Sequence, residues 1–171
     1  MTSLRYRTID SPVGPLTLAG LGSTLMHLRM TDQTHEQDRS GWRPADAGAF
    51  GEVVEQLEAY FDGSRTEFDV DLRLDGTDFQ RRVWAALRTI PYGETRSYGD
   101  IAAQIGSPGA SRAVGLANGR NPISIIVPCH RVVGSTGDLT GYGGGIYRKR
   151  ALLVLEQVSR SGDVRLDASV S

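Results

Sequence analysis

The chain is expected to be α+β, with a small antiparallel sheet and a helix in its N-terminal part. Its C-terminal part is expected to be mostly helical, with a helix-turn-helix and the only cysteine. Three observations predict this. Short apolar stretches broken by glycine and proline fill residues 4 to 30, as in a strand meander. Apolar residues then recur at helical spacing from Phe50 onward, and again in several segments after residue 77. Two of those segments flank the tight turn Gly106-Ser107-Pro108-Gly109, a helix-turn-helix pattern.

Taken in order, Arg5–Ile9, Leu16–Ala19 and Leu25–Met30 read as strands joined through Pro12-Val13-Gly14-Pro15 and Gly20-Leu21-Gly22-Ser23. His27 lies in a strand pattern and suits a surface or core position better than a ligand role. Residues 31–48 are polar and aperiodic, which predicts a loop. Phe50, Val53, Val54, Leu57, Tyr60 and Phe61 form the apolar face of a helix that stops at Asp62-Gly63. Glu67 to Leu74 alternates strictly and predicts a half-buried strand.

The character changes at Asp75-Gly76-Thr77. We place a boundary there, giving an N-terminal domain over 1–75, a C-terminal domain over 76–160 and a flexible tail over 161–171. Thr77 or Asp78 can cap a helix burying Phe79, Val83, Trp84, Leu87 and Ile90, closed by Pro91-Tyr92-Gly93. Ser97 with Asp100 makes a capping box for a second helix, whose inward residues are Ile101, Ala102 and Ile105. A third helix, Ala110 to Asn118, is rich in small residues, and Arg112 is its long cationic side chain. Such a surface suits close, sequence-neutral approach to a narrow groove. The last helix runs from Tyr147 to about Val158, burying Ala151, Leu152 and Leu155, and the tail from Ser159 should fray.

The 171 residues are 39% hydrophobic and 23% charged, ordinary for a water-soluble protein. No window has the length and apolarity of a membrane span, and the N-terminus lacks a signal-peptide core. One cysteine forbids an internal disulfide, so a reducing cytoplasm is the expected location. Cys129, His27, His35 and His130 lie far apart without the close pairs of a zinc site, and no metal or cofactor is expected. Residues 1–74 hold seven Arg against twelve Asp and Glu, whereas 75–160 hold ten Arg and one Lys against six acids. The second half is therefore the one suited to a polyanion such as nucleic acid.

Pro128-Cys129-His130-Arg131 follows the most apolar run, Ile123 to Val127. A thiolate is a strong nucleophile, and the adjacent imidazole is a base, although neighbours in an extended chain face opposite ways. A bend or a bridging water would then be needed. The alternative is an inert cysteine packed as a small hydrophobe. Glu156, the only acid of the last helix, reads equally as a surface ion-pair partner of its basic neighbours. The glycine cluster from Gly134 to Gly145 lacks the Gly-Lys-Ser/Thr of a P-loop and reads as a loop, either bare or facing a planar ligand.

Asn121-Pro122 before Pro128-Cys129-His130-Arg131, Ser111-Arg112-Ala113-Val114-Gly115 upstream and Gly141-Tyr142-Gly143-Gly144-Gly145 downstream together resemble the O(6)-alkylguanine-DNA alkyltransferase family. The likeness is close from about Thr77 to Glu156. It implies direct-reversal DNA repair: a base flipped out of the duplex gives its O(6)-alkyl group irreversibly to Cys129. By the same resemblance His130 would act through a water as the base, Glu156 would orient the imidazole, and Asn121 would brace the cysteine's turn. Tyr98 would hydrogen-bond the guanine ring and press on the phosphate, and Lys149 would support the site. Arg112 would fill the vacated stack, with Ala110, Ser111, Gly115 and Asn118 also meeting DNA in the minor groove. Backbone groups around Val132 and the loop Tyr142, Gly143 and Gly144 would recognise guanine.

The implied partner is double-stranded DNA carrying O(6)-alkylguanine, bound by a monomer, with cooperative binding left open. Some relatives carry Ser at the place of Gly143, and the N-terminal zinc ligands of others are absent here. Alkyltransferase-like proteins lack the cysteine, which is present here. A helix-turn-helix regulator with a structural cysteine and a cysteine hydrolase are the competing readings.

Overall fold

Glycine and proline set the turns of the N-terminal meander, and the chain between them pairs as β1 (Arg5–Ile9), β2 (Leu16–Leu21) and β3 (Thr24–Met30), all antiparallel. The computed structural model describes residues 3–31, 38–139 and 145–161. Strand β2 runs two residues beyond the expected Ala19, because Gly20 sits at an irregularity in the β2–β3 register. A Cβ on Gly20 would lie 2.0 Å from the Thr24 carbonyl oxygen, so only glycine fits. The polar stretch after Met30 is not all loop: Arg43-Pro44 forms a short β4 parallel to β1. Proline, which cannot donate to a ladder, stands there at the sheet edge in the order β3-β2-β1-β4.

Helix α1 (Gly51–Phe61) buries Val53, Val54, Leu57 and Tyr60, as its spacing predicts. The expected strand over 67–74 does not form. Its alternation is real, with Phe68, Val70, Leu72 and Leu74 half-buried between exposed residues, but only Leu72 bridges, to Leu25 of β3. The Leu25 amide bonds the Asp71 carbonyl at 2.9 Å, and the Arg73 amide bonds the Leu25 carbonyl at 2.9 Å. A few residues on, the same edge of β3 is taken by another segment: the Leu28 amide bonds Pro122 and the Ser124 amide bonds the Leu28 carbonyl. One edge shared by two distant segments leaves neither room for a ladder.

Beyond residue 77, α2 (Asp78–Leu87) and α3 (Tyr98–Gln104) both start on complete capping boxes, Thr77 with Gln80 and Ser97 with Asp100. A helix α4 (Ser111–Gly119) follows the turn at Gly106. The Trp84 indole donates to the Ala117 carbonyl at 2.9 Å and so ties α2 to α4. Two short strands, β5 (Arg96-Ser97) and β6 (Val132-Val133), pair in parallel, too brief to show in the sequence. Helix α5 (Ile146–Ser161) runs past the expected end at Val158, so the fraying expected from Ser159 is not observed as far as Ser161. Leu18, Leu28, Leu57, Trp84, Ile101 and Leu152 belong to one continuous apolar core. Each fully buried aliphatic side chain contributes about 1.5–3 kcal/mol. Among the described residues no helix is long and apolar enough to cross a membrane.

Candidate active site

The segment before the cysteine is not a strand but a set of buried turns held by Asn121. Its side-chain amide donates to the carbonyls of Val127 at 2.8 Å and Ile123 at 3.2 Å, and its oxygen accepts from the Ile123 amide at 3.0 Å. Ile125 is thereby held at φ 73, a left-handed conformation that costs a β-branched residue energy and persists only where the surroundings impose it. Asn121, for which the resemblance implied a bracing role, bonds to both Ile123 and Val127 ahead of the cysteine.

Cys129 opens a single 3-10 turn, Cys129–Arg131, so the extended-chain objection to the Cys-His pair falls away. The cysteine is 3% exposed, and its carbonyl accepts from the Asn118 side chain at 3.3 Å. That bond places the end of α4 directly against the nucleophile. Asn118, expected to meet DNA, is 1% exposed and lies under the cysteine turn.

His130 is fully buried and its Nε2 lies 2.6 Å from Glu156 Oε2. Its Nδ1 is buried and makes no hydrogen bond. Glu156 is not on the surface. Its carboxylate is fully buried and accepts from His130, from Arg131 Nε at 2.8 Å and Nη2 at 3.0 Å, from the Tyr60 hydroxyl at 2.7 Å and from the Gly93 amide at 3.3 Å. Gly93 turns its amide inward from a left-handed conformation at φ 79. Burial would push the Glu156 carboxyl up, but His130 and Arg131 outweigh it and hold the group well below the usual carboxylate range. Burial pushes the His130 imidazole down, with Arg131 and Lys149 adding to it against the pull of Glu156. Arg131 already balances the carboxylate, so the resting imidazole is neutral, its Nε2–H shared with Glu156 and its Nδ1 lone pair available as a base.

Arg131 and Tyr60 are the residues that sequence reasoning missed. Arg131 was quoted in the cysteine motif without a role, and its Nη1 also donates to the Ile90 carbonyl at 2.7 Å. Tyr60 was counted only as part of an apolar face. A signal did exist for Glu156: Lys149, Leu152 and Glu156 share one helical stripe, and all three are fully buried.

The Lys149 ammonium lies 5.8 Å from the centre of the Tyr98 ring. Burial pushes Lys149 down to about 8, while Cys129 and Asp138 pull it back up. Burial pushes Tyr98 up to about 12, with Cys129 and Asp138 adding to it, so at neutral pH its hydroxyl stays protonated and able to donate. Tyr98 also packs against α4, where a Cβ on Gly115 would touch its ring at 3.8 Å.

On α4, Arg112, Ser111 and Ala113 are exposed, Ala110 and Gly115 are half-buried, and Leu116 is 61% exposed. Val132 is buried in β6, paired with Arg96. Tyr142, Gly143 and Gly144 lie outside the described residues. Among the described residues no cluster of His, Cys, Asp and Glu could hold a metal ion.

Comparison with known proteins gives the family. Residues 78–158 match the DNA-binding domain of 6-O-methylguanine DNA methyltransferase, and residues 4–74 match its ribonuclease-like domain. The chain is 69% identical over 163 residues to the methylated-DNA--protein-cysteine methyltransferase of Mycobacterium tuberculosis, covering 95% of this chain and 98% of that one. The protein of the same name from Mycobacterium leprae is 66% identical over 154 residues, covering 90% and 93%. A crystal structure of Mycobacterium tuberculosis OGT in complex with DNA matches at 70% identity and a TM-score of 0.86, over 91% of this chain and 94% of that one. Fold, site and sequence together make this chain a member of the O(6)-alkylguanine-DNA alkyltransferase family.

Proposed function

We propose that the protein repairs DNA by direct reversal, moving the O(6)-alkyl group of guanine onto Cys129. The observation that carries this reading is the buried His130–Glu156 pair on the same 3-10 turn as Cys129, with that turn bonded to the end of the helix-turn-helix through Asn118. A thiol that is 3% exposed cannot reach a base stacked in a duplex, so the base must come to it. Arg112, exposed on α4, is the side chain long enough to occupy the vacated stack. The small residues Ala110, Ser111 and Gly115, the first and last half-buried and Ser111 exposed, let the minor groove approach closely.

In the transfer, the thiol proton passes to His130 Nδ1 through a bridging water, and the imidazolium is held by Glu156. The Cys129 sulfur attacks the alkyl carbon, the carbon–O(6) bond breaks, and its electron pair stays with guanine. The Tyr98 hydroxyl donates to the ring as that charge develops, and the guanine anion then takes up a proton. Lys149 beside the thiol favours its ionised form. Cys129 is the only cysteine of the chain, so a thioether formed there meets no second thiol, and each molecule acts once. The protein works as a monomer in the cytoplasm, without a cofactor.

The test is methyl transfer from a duplex containing O(6)-methylguanine. Label should move to wild-type protein and not to Cys129→Ala, which should keep its DNA affinity. Label released as free product, as a cysteine hydrolase would give, contradicts the proposal. So does binding confined to one operator sequence.

A further inference from the structure

The His130–Glu156 pair is built entirely within the C-terminal part except for one group. The Tyr60 hydroxyl, on α1, donates at 2.7 Å to Glu156 Oε2, the same oxygen that receives His130 Nε2 at 2.6 Å. Tyr60 and Glu156 are both fully buried, so water does not compete for this bond. Arg131 Nη2 is a third donor to this oxygen at 3.0 Å, and each donor that stabilises its negative charge lowers its basicity toward the imidazole. The other carboxylate oxygen is taken by Arg131 Nε and the Gly93 amide.

We propose that Tyr60 is a positioning residue, reaching from the N-terminal helix to hold down the basicity of the His130–Glu156 relay and so keep the single-use thiol protonated at rest. This rests on the alkyl-transfer reading of Cys129. The consequence follows from the direction of proton flow. A more basic Glu156 would hold the imidazolium more firmly and shift the thiol toward thiolate, which is also the form that oxidants attack. A protein that acts once loses that one turnover to oxidation. The charged and titratable groups facing the relay are Arg131 on the cysteine turn, Lys149 on α5, Tyr92 after α2 and Tyr60 itself. Tyr98 and Lys149 interact electrostatically with the Cys129 thiol. Of these, Tyr60 is the neutral donor shown on the carboxylate oxygen that His130 uses.

The experiment is the rate of Cys129 alkylation by iodoacetamide across pH 5 to 9, which reads the thiolate whether or not alkylguanine is a substrate. Tyr60→Phe keeps the ring packed against Phe61, Phe68 and Tyr92. Its midpoint should fall by about half to one pH unit, a gain of roughly three- to tenfold in rate well below the midpoint. Tyr92→Phe, which removes a hydroxyl not bonded to the relay, should leave the midpoint in place. In a Glu156→Gln background the Tyr60→Phe shift should vanish. An unchanged midpoint with only a lower melting temperature, or an equal shift in both backgrounds, overturns the proposal. Absence of methyl transfer from damaged duplex by wild-type protein would instead overturn the functional reading, and the iodoacetamide profile would still be read.

Discussion

His130 Nε2 and Glu156 Oε2 stand 2.6 Å apart with neither side chain exposed to solvent, and the carboxylate is balanced by Arg131. The imidazole is thereby fixed in one tautomer, with Nδ1 left as its basic nitrogen. Glu156→Gln removes the charge while nearly keeping the shape. It should slow transfer at least about a hundredfold, since it leaves the imidazolium without its counter-charge. It should also cost about 3–5 kcal/mol of stability, because Arg131 remains buried without its partner. Single-turnover kinetics and denaturant unfolding measure both, and a variant of wild-type stability would show that Arg131 finds another acceptor.

Asn121 makes three buried hydrogen bonds that close the turns ahead of the cysteine. Asn121→Ala should destabilise the protein by about 2–4 kcal/mol and slow thiol alkylation by iodoacetamide. Asn121→Asp keeps the acceptor and loses both donors, and should rescue little. Near-normal stability in the alanine variant would mean that the left-handed Ile125 does not depend on this clamp.

Lys149 offers a test by pH. Its folded-state value of about 8 lies below the 10.5 of the free side chain. Between those values the unfolded chain holds a proton that the folded chain has lost, so this group makes stability rise with pH in that window. Burying the charge costs up to roughly 3 kcal/mol at pH 7. Lys149→Met should therefore be more stable than wild type at pH 7, with an advantage that shrinks toward pH 10, while its alkyl transfer is slower. Above pH 10 the raised values of Tyr60 and Tyr98 make stability fall in both proteins, so the comparison belongs below that point. A stability difference that does not change between pH 7 and 10 would contradict the assignment.

Arg112 is exposed on α4. Arg112→Ala should slow repair in duplex DNA by about tenfold or more, with reaction toward the free base O(6)-benzylguanine unchanged. Equal losses on both substrates would remove its role in base extrusion.

How much of this was legible in the sequence follows from how local each cause is. The two capping boxes and the glycine turn of the helix-turn-helix lie within a few residues of each other, so α2, α3 and α4 could be placed directly. The strand expected at 67–74 failed because pairing depends on a free edge, and residues 122–124 occupy the continuation of that edge on β3. Cys129 and His130 were legible by type and resemblance. The 3-10 turn that orients them is imposed by Asn121 and by Asn118 from α4, contacts that no local pattern reports. The bond from Tyr60 to Glu156 joins residues 96 apart, and helical spacing can say that both are buried but not that they meet.

The most direct check is the intact mass of the protein after incubation with a severalfold excess of duplex containing O(6)-methylguanine, followed by fragmentation of the Cys129 peptide. The expected result is one added methyl group per chain, carried on Cys129, with no further guanine restored once every chain is modified. An unmodified protein beside repaired DNA, or a methyl group on any other residue, would contradict it.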